Sequence, residues 1–571
     1  MFVKLTKSGP RRYLQLAESY RDENGRVKQR TIASLGRVEK IDAHFDSVIR
    51  GLRRATGRAP DAANGSPVVP DDDQLNINFE PTRTLGDVWT LTQIWKELGF
   101  DRLACVFRSS KRKLDVEAMI RVMVFNRLCD PESKLGVLRW LDTVCIPDID
   151  TRDIAYQHLL RSMDALMDKR DEVDNVISSL LRPLIDQELS VVFYDLTTIK
   201  AEGESEQEDD VRRYGMSKDG GIKRQFVLGV VQTAEGLPIY HEVFDGNVAE
   251  VSTLRSTLET VMERFTIKRV IAVADRGLLS MNNLAELQAM KTPGGEALEF
   301  ILAVPGRRYS EFETLMAPFH KQYCKGATEE IIDELSWQDL RLVVAHDPYT
   351  AGERTAARDL KIKKLEDAAA DWVNKLEEQE VGKRYRGRKL SDGGARARFY
   401  HEVVESKLAK IIKVNLKSDL FSYDIDRKAR RLAEMMDGKL LLVSNTPDLT
   451  PKEIVLRYKS LADIERGFRV LKSELEIGPV FHRLPDRIRA HASICFMGLI
   501  IHRIIRQRLK QSSSSFSPER ALETLRRIQR HRITLNDKTH TGISTLSDEQ
   551  GQLLGSLNVD KPTESKQLSL L

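Results

Sequence analysis

LSVVFYDLTTI, residues 189–199, is the stretch whose reading decides the fold. Its apolar, β-branched and aromatic run reads as a strand buried on both faces that ends in Asp195. Working outward, residues 224–233 and 237–245 read as two strands joined at Ala234-Glu235-Gly236, a hairpin signal. A helix over 250–265 follows, then a second buried apolar strand over 269–274 that delivers Asp275-Arg276-Gly277. The order is strand, hairpin, helix, strand, with an Asp closing the first and last strands. An acid at the end of such a strand projects into the crevice where open α/β sheets bind ligands. Taken singly, Asp195 could cap a following turn and Asp275 could simply open the Arg276-Gly277 turn. Together in one compact unit they invite a metal.

A further apolar strand over 439–444 leads into residues 450–479, TPKEIVLRYKSLADIERGFRVLKSELEIGP, which are punctuated as one helix of about six turns. Thr450, Pro451 and Glu453 fit the N-cap, N1 and N3 positions of a capping box. Leu449 and Ile454 can staple that start, and Gly478-Pro479 supplies the stop. Ile454, Leu461, Phe468 and Leu475 repeat every seven residues, flanked by Ile464 and Leu471, and make one side apolar. Tyr458, Glu465 and Lys472 repeat with the same period at the border of that stripe, so a carboxylate stands at the rim of a buried face. The helix alone also reads as an ordinary amphipathic one with Glu465 paired to Lys472 or Arg469. Beside Asp195 and Asp275, Glu465 reads as the third acid of a shared site. Three carboxylates without His or Cys suit magnesium or manganese rather than zinc. Two such ions about 4 Å apart would serve in-line phosphoryl transfer on a phosphodiester.

At 571 residues, 41% hydrophobic and 31% charged, the chain reads as globular and multidomain. Lys and Arg number 90 against 85 Asp and Glu, so the net +5 supports no claim of global polyanion binding. Local excess is more informative. Residues 1–58 hold fourteen basic against six acidic residues, and 503–532 nine against two, so both could meet phosphates. Cys105, Cys129, Cys145, Cys324 and Cys495 show no CxxC spacing, which argues against a zinc site or a disulfide framework. No run reaches about 18 apolar residues, and the longest, 494–505, contains His502 and Arg503. The reading is therefore cytoplasmic, with no membrane partner.

The expected organisation is a basic β-rich region with possible DNA binding over 1–58, a linker over 59–80 and a helical domain over 81–186. The strand, hairpin, helix, strand unit covers 187–290, a heterogeneous stretch 291–437, the strand and long helix 438–510, and a basic helix with Arg526, Arg527, Arg530 and Arg532, then a polar tail, 511–571. A helix pair in 81–186 could be a helix-turn-helix, although generic packing explains it as well.

The chain resembles the DDE transposases of bacterial insertion sequences, in the branch with a β-containing insertion before the catalytic Glu and a Tyr-x2-Arg-x3-Glu-x6-Lys signature. The matching residues are Tyr194-Asp195-Leu196-Thr197-Thr198, residues 229–247 with their Glu242-Val243-Phe244-Asp245-Gly246-Asn247 end, Ala274-Asp275-Arg276-Gly277, and Tyr458, Glu465 and Lys472. The signature's Arg falls on Leu461, which puts Arg457, Lys459 or Arg469 forward as substitutes. The resemblance implies an α/β, ribonuclease-H-like core with a partly β insertion subdomain, plus the helical and small β-rich N-terminal regions. It implies Asp195, Asp275 and Glu465 as catalytic ligands of two Mg2+ (or Mn2+) ions. Tyr458, Lys472, Arg276 and Arg469 become DNA contacts. Double-stranded DNA, as element terminal repeats and target, becomes the partner of a protein that is a dimer on DNA at the bacterial nucleoid. The insertion would present Trp337, Trp372 or Tyr385 to bases and the run 383–389 to backbone phosphate. His241 reads as structural. The rival readings are a transposase-derived DNA-binding protein without cleavage, which Leu461 favours, and a metal-dependent nuclease.

Overall fold

The structure, a computed structural model, describes residues 2–8, 11–21, 27–37, 77–108, 114–185, 189–218, 220–248, 250–265, 269–274, 281–292, 294–381, 390–535 and 538–563. Asp275, Arg276, Tyr385 and the run 383–389 lie outside the described residues. The chain divides into two compact units. One comprises Met1–Thr90, Leu141–Thr151 and Ala521–Leu571, the other Leu91–Trp140 and Arg152–Arg520.

In the first unit, β1 (Phe2–Ser8), β2 (Arg11–Arg21) and β3 (Val27–Arg37) form an antiparallel meander. A second small sheet gathers Ile77–Phe79 and Arg83–Thr84 onto Gln529–Leu535, which is paired in turn with Lys538–Ile543. The linker expected over 59–80 therefore contributes a strand at its end. The C-terminal helix expected through Arg532 stops at Arg526, and Arg530 and Arg532 stand on a strand. The β-branched Ile533 and Thr534 favour that ladder over another helical turn. A capping box of Ser547 and Gln550 starts a last helix, Asp548–Ser556, where a polar tail was expected.

The second unit is built on a nine-stranded mixed sheet. Its strands are β4 (Leu189–Lys200), β5 (Arg213–Met216), β6 (Ile222–Thr233), β7 (Pro238–Asp245), β8 (Arg269–Ala274), β9 (Glu299–Ala303), β10 (Ile331–Trp337), β11 (Leu340–His346) and β12 (Lys439–Ser444). They run in the order β10-β11-β12-β9-β8-β4-β6-β5, with β7 on β6. β8 is parallel to β4 and β9 parallel to β8, while every other pair is antiparallel. The expected strand, hairpin, helix, strand order is present as β4, β6 with β7, α3 (below) and β8. Two expectations change. β4 does not end at Asp195: Thr197, Thr198 and Ile199 carry the ladder with β6 on to Lys200. The β portion of the insertion is also no separate layer, because β10 and β11 extend the main sheet through β12.

The helices used below are α1 (Val116–Cys129), α2 (Tyr156–Asp168), α3 (Glu250–Arg264), α4 (Pro348–Glu380), α5 (Asp392–Glu405), α6 (Arg427–Met436), α7 (Pro451–Lys459), α8 (Ala462–Arg469) and α9 (Pro485–Gln511). α9 is the hub of this unit, packing on α1, α2 and β7. It is long and apolar enough to cross a bilayer, yet 94% of its most apolar window is buried within the protein. α4 and α5 carry a core of their own around Phe399, Ile362 and Leu365, which excludes the main sheet.

Candidate active site

The register of the two parallel strands sets the first half of the site. Arg269 pairs with Leu189, and the ladder continues through Ala274 opposite Tyr194. Asp195 continues β4 beyond that pair, and Asp275 is the residue that follows Ala274 in the sequence. Asp195 is half-buried, and its Oδ1 accepts a hydrogen bond from the Leu196 amide at 2.7 Å and faces Lys218 Nζ at 3.5 Å. Lys218 also donates to the Leu196 carbonyl. Reasoning from sequence missed this lysine. The signal that could have found it is the turn at Gly220 and Gly221, both at positive φ, which folds the chain back between β5 and β6.

The second half comes from the segment after β12. Its start is as expected: Thr450 Oγ1 accepts from the Glu453 amide at 3.3 Å, and Glu453 Oε2 accepts from the Thr450 amide at 2.8 Å. Leu449 and Ile454 are buried. The expected single helix does not hold. α7 ends at Lys459, α8 begins at Ala462, and a π-helical turn, Val470–Glu474, follows. Ser460 explains the break. Its hydroxyl donates to the Leu456 carbonyl, and the Leu461 amide donates three residues back to Tyr458, a tight turn in place of the α-helical bond. The apolar heptad survives the break, since Ile454, Leu461, Phe468 and Leu475 are all buried.

Glu465 is exposed, and among the described residues its carboxylate has no hydrogen-bond or ion-pair partner, so the pairing with Lys472 or Arg469 is not made. Tyr458 and Lys472 are half-buried on either side of it, and Arg469 is exposed. α8 packs against β4. Gly467 permits that approach: a Cβ there would lie 2.5 Å from Gln232 Nε2 and 3.1 Å from Arg503 Nη2. Gln232 sits on β6 opposite Phe193, two residues before Asp195. Of the substitutes for the missing signature Arg, Lys459 is engaged with Glu330 at 2.8 Å.

His241 is structural, as expected. It is buried, stacks on Phe496 with ring centroids 4.3 Å apart and lies 3.0 Å from Ser493 Oγ. Burial, then the Arg170 charge, lowers its pKa to about 3. Beside it Glu242 accepts from Arg170 and Tyr240. Trp337 packs on Phe312, and Trp372 lies under Lys375 and Arg398 at 4.8 and 5.5 Å from its ring centroid, so both are engaged within the protein. Sequence reasoning also missed a cluster of Glu474, His502 and Glu519, whose ligand atoms all lie within 4.8 Å of one another. There His502 Nε2 is 2.6 Å from Glu519 and 3.0 Å from Glu474, so the imidazole stands between two carboxylates, while its Nδ1 is buried without a hydrogen-bond partner.

Carboxylates are hard oxygen donors, and Asp195 and Glu465 offer the kind that a divalent cation such as magnesium takes. Ions so held serve phosphoryl transfer. Residues 186–501, more than half of the chain, match the family described as Transposase DDE domain, and residues 3–64 match the IS1634 family transposase, N-terminal domain. The chain belongs to the DDE transposases of IS1634-type insertion sequences, and is a metal-dependent DNA transposase. No curated protein matches it. Among solved structures it is similar to the piggyBac transposase in a synaptic complex with hairpin DNA, at 8% identity and a TM-score of 0.35, covering 77% of this chain and 75% of that one. It is also similar to the Drosophila P element transposase in a strand transfer complex, at 11% identity and a TM-score of 0.20, covering 75% and 89%. Both likenesses are too loose to define a shared fold.

Proposed function

We propose that this transposase cuts DNA at the ends of its insertion sequence and joins the freed 3′ hydroxyls to target DNA, with Asp195, Asp275 and Glu465 as the catalytic carboxylates. The observation that supports the reading is the parallel β4–β8 register, whose last pair, Tyr194 with Ala274, is followed in the sequence by Asp195 and Asp275. α8 packed on β4 then brings an exposed, unpaired Glu465 to the same sheet. The strand order β7-β6-β4-β8-β9, antiparallel then parallel, supports a ribonuclease-H-like core.

The three carboxylates would hold two Mg2+ or Mn2+ ions, which activate the attacking oxygen and stabilise the leaving one. In the first step water attacks the phosphorus and the 3′ oxygen leaves; in the second that 3′ hydroxyl attacks a target phosphodiester in line. Asp195 is kept oriented by the Leu196 amide and Lys218. Tyr458, Lys472, Arg276 and Arg469 grip phosphates of the cut strand, and the basic N-terminal region, which falls within the matched residues 3–64, binds the terminal repeats. Two element ends must be cut, which calls for a dimer on DNA, acting in the cytoplasm at the nucleoid.

Strand cleavage of a duplex carrying the element's ends tests the reading. With magnesium the wild type should nick it, and Asp275→Asn and Glu465→Gln should each lower the rate by about 10³-fold or more while binding the duplex normally. Leu461 is buried where the signature has a cation, which favours the DNA-binding rival. A wild type that binds the ends and never cuts would decide for that rival.

A further inference from the structure

A cavity of about 380 Å³ lies between the end of α1, the start of α2 and the segment that follows the π turn. Its wall contains Lys134, His491, Arg127 and His482, and the exposed Phe481 and Tyr156 stand at its mouth. Lys134 is 94% buried by its 6% exposure, and among the described residues its Nζ has no hydrogen-bond or ion-pair partner. His491, also buried, directs Nε2 to the Ile477 carbonyl at 2.9 Å, which leaves Nδ1 buried with no partner. Arg127 donates to the carbonyls of Leu475 at 3.3 Å and Glu476 at 3.2 Å, so its charge meets no carboxylate. Two acids do line the cavity, Glu132 and Glu476. Glu132 lies 4.0 Å from Arg139, and Glu476 is exposed. A buried cation without a counter-charge is costly, and an anion received in the cavity would supply that counter-charge. The same burial, with Arg127 nearby, lowers the Lys134 pKa to about 7.

The cavity is tied to the candidate active site from both sides. Val480, in its wall, is bridged to Ala201, the residue after β4 and six beyond Asp195, or about 20 Å of extended chain. Glu476, also in the wall, follows Glu465 by eleven residues, through the end of α8 and the π turn. We infer that this cavity is a phosphate subsite for the DNA strand, a few nucleotides from the cut, with Lys134 on the phosphate and Phe481 or Tyr156 against the adjoining base. The inference deepens the transposase reading and rests on it for the identity of the strand.

Calorimetric titration of the full chain with 5′-phosphorylated tetrathymidylate, beside inorganic phosphate, tests it. Lys134→Met keeps the stem and removes an uncompensated charge, so it should raise Tm while weakening tetrathymidylate binding by about tenfold or more. Lys134→Arg should restore binding. Unchanged affinity in Lys134→Met overturns the subsite, as does a lowered Tm with binding retained. Inorganic phosphate binding as tightly as tetrathymidylate also overturns it, since the site would then serve free phosphate. Cleavage of the element-end duplex is followed in parallel. A protein that binds tetrathymidylate through Lys134 but never cuts loses the transposase reading and keeps the subsite.

Discussion

His502 shows how much a single residue can depend on its neighbours. Burial lowers its pKa, and the Glu474 and Glu519 carboxylates more than reverse that, so it ends above its ordinary 6.5. A group whose pKa rises on folding stabilises fully below its unfolded value, and the stabilisation is lost as pH climbs through the folded value. The Tm advantage of the wild type over His502→Gln should therefore be largest below about pH 6.5 and shrink as the pH is raised above it; an advantage that stays constant as pH rises refutes the ion-paired histidinium. Other residues differ in how far the sequence revealed them. Asp195 stands out in the sequence because it interrupts an apolar run, and Glu465 because it repeats with Tyr458 and Lys472 at the rim of an apolar stripe. Lys218 and Lys134 were not, because a lysine looks the same in sequence whether its ammonium is solvated, paired to a strand carboxylate or sealed beside a cavity. Leu461 was read correctly as apolar and buried, although the family signature asks for a cation there.

Among the elements, the segment from α7 to the π turn is the most instructive. Its cap and apolar heptad were visible in the residues, yet its break at Ser460 was not, since a serine mid-helix is tolerated and only the tertiary fit decides whether its hydroxyl takes a backbone carbonyl. Gly467 lies on α8 where side chains from β6 and α9 crowd it. Alanine there gains about 0.5–1 kcal/mol of helix propensity. Against this stands a Cβ placed 2.5 Å from the fully buried Gln232 amide, an overpacking cost of about 1–3 kcal/mol. The steric term should win. Gly467→Ala is expected to lower Tm modestly and slow strand cleavage by about tenfold or more through displacement of Glu465, with duplex binding intact. Equal cleavage rates would mean that α8 need not lie so close to β4.

At the scale of the whole molecule, the parallel core was legible from continuous apolar runs, whereas the extension of the sheet by β10 and β11 was not. Nothing local in an alternating strand states which edge it will join. The insertion's helices, by contrast, keep a separate core centred on fully buried Phe399. Phe399→Ala should cost about 3–5 kcal/mol, spent within that core. Hydrogen exchange should then lose protection in α4 and α5 and keep it in β12; loss in β12 as well would make the insertion and the sheet one cooperative body.

The β4–β8 ladder carries one more consequence. Side chains alternate between faces along a strand, and if Asp195 and Asp275 act together as proposed, the two segments have to deliver their acids to the same side at the same level. The spacing from Leu189 to Asp195 and from Arg269 to Asp275 thus behaves as a reading frame. Apolar residues within it can be exchanged for others of similar shape, but losing or gaining one residue in either strand turns one acid toward the opposite layer. Over evolutionary time these strands should drift in composition and stay fixed in length.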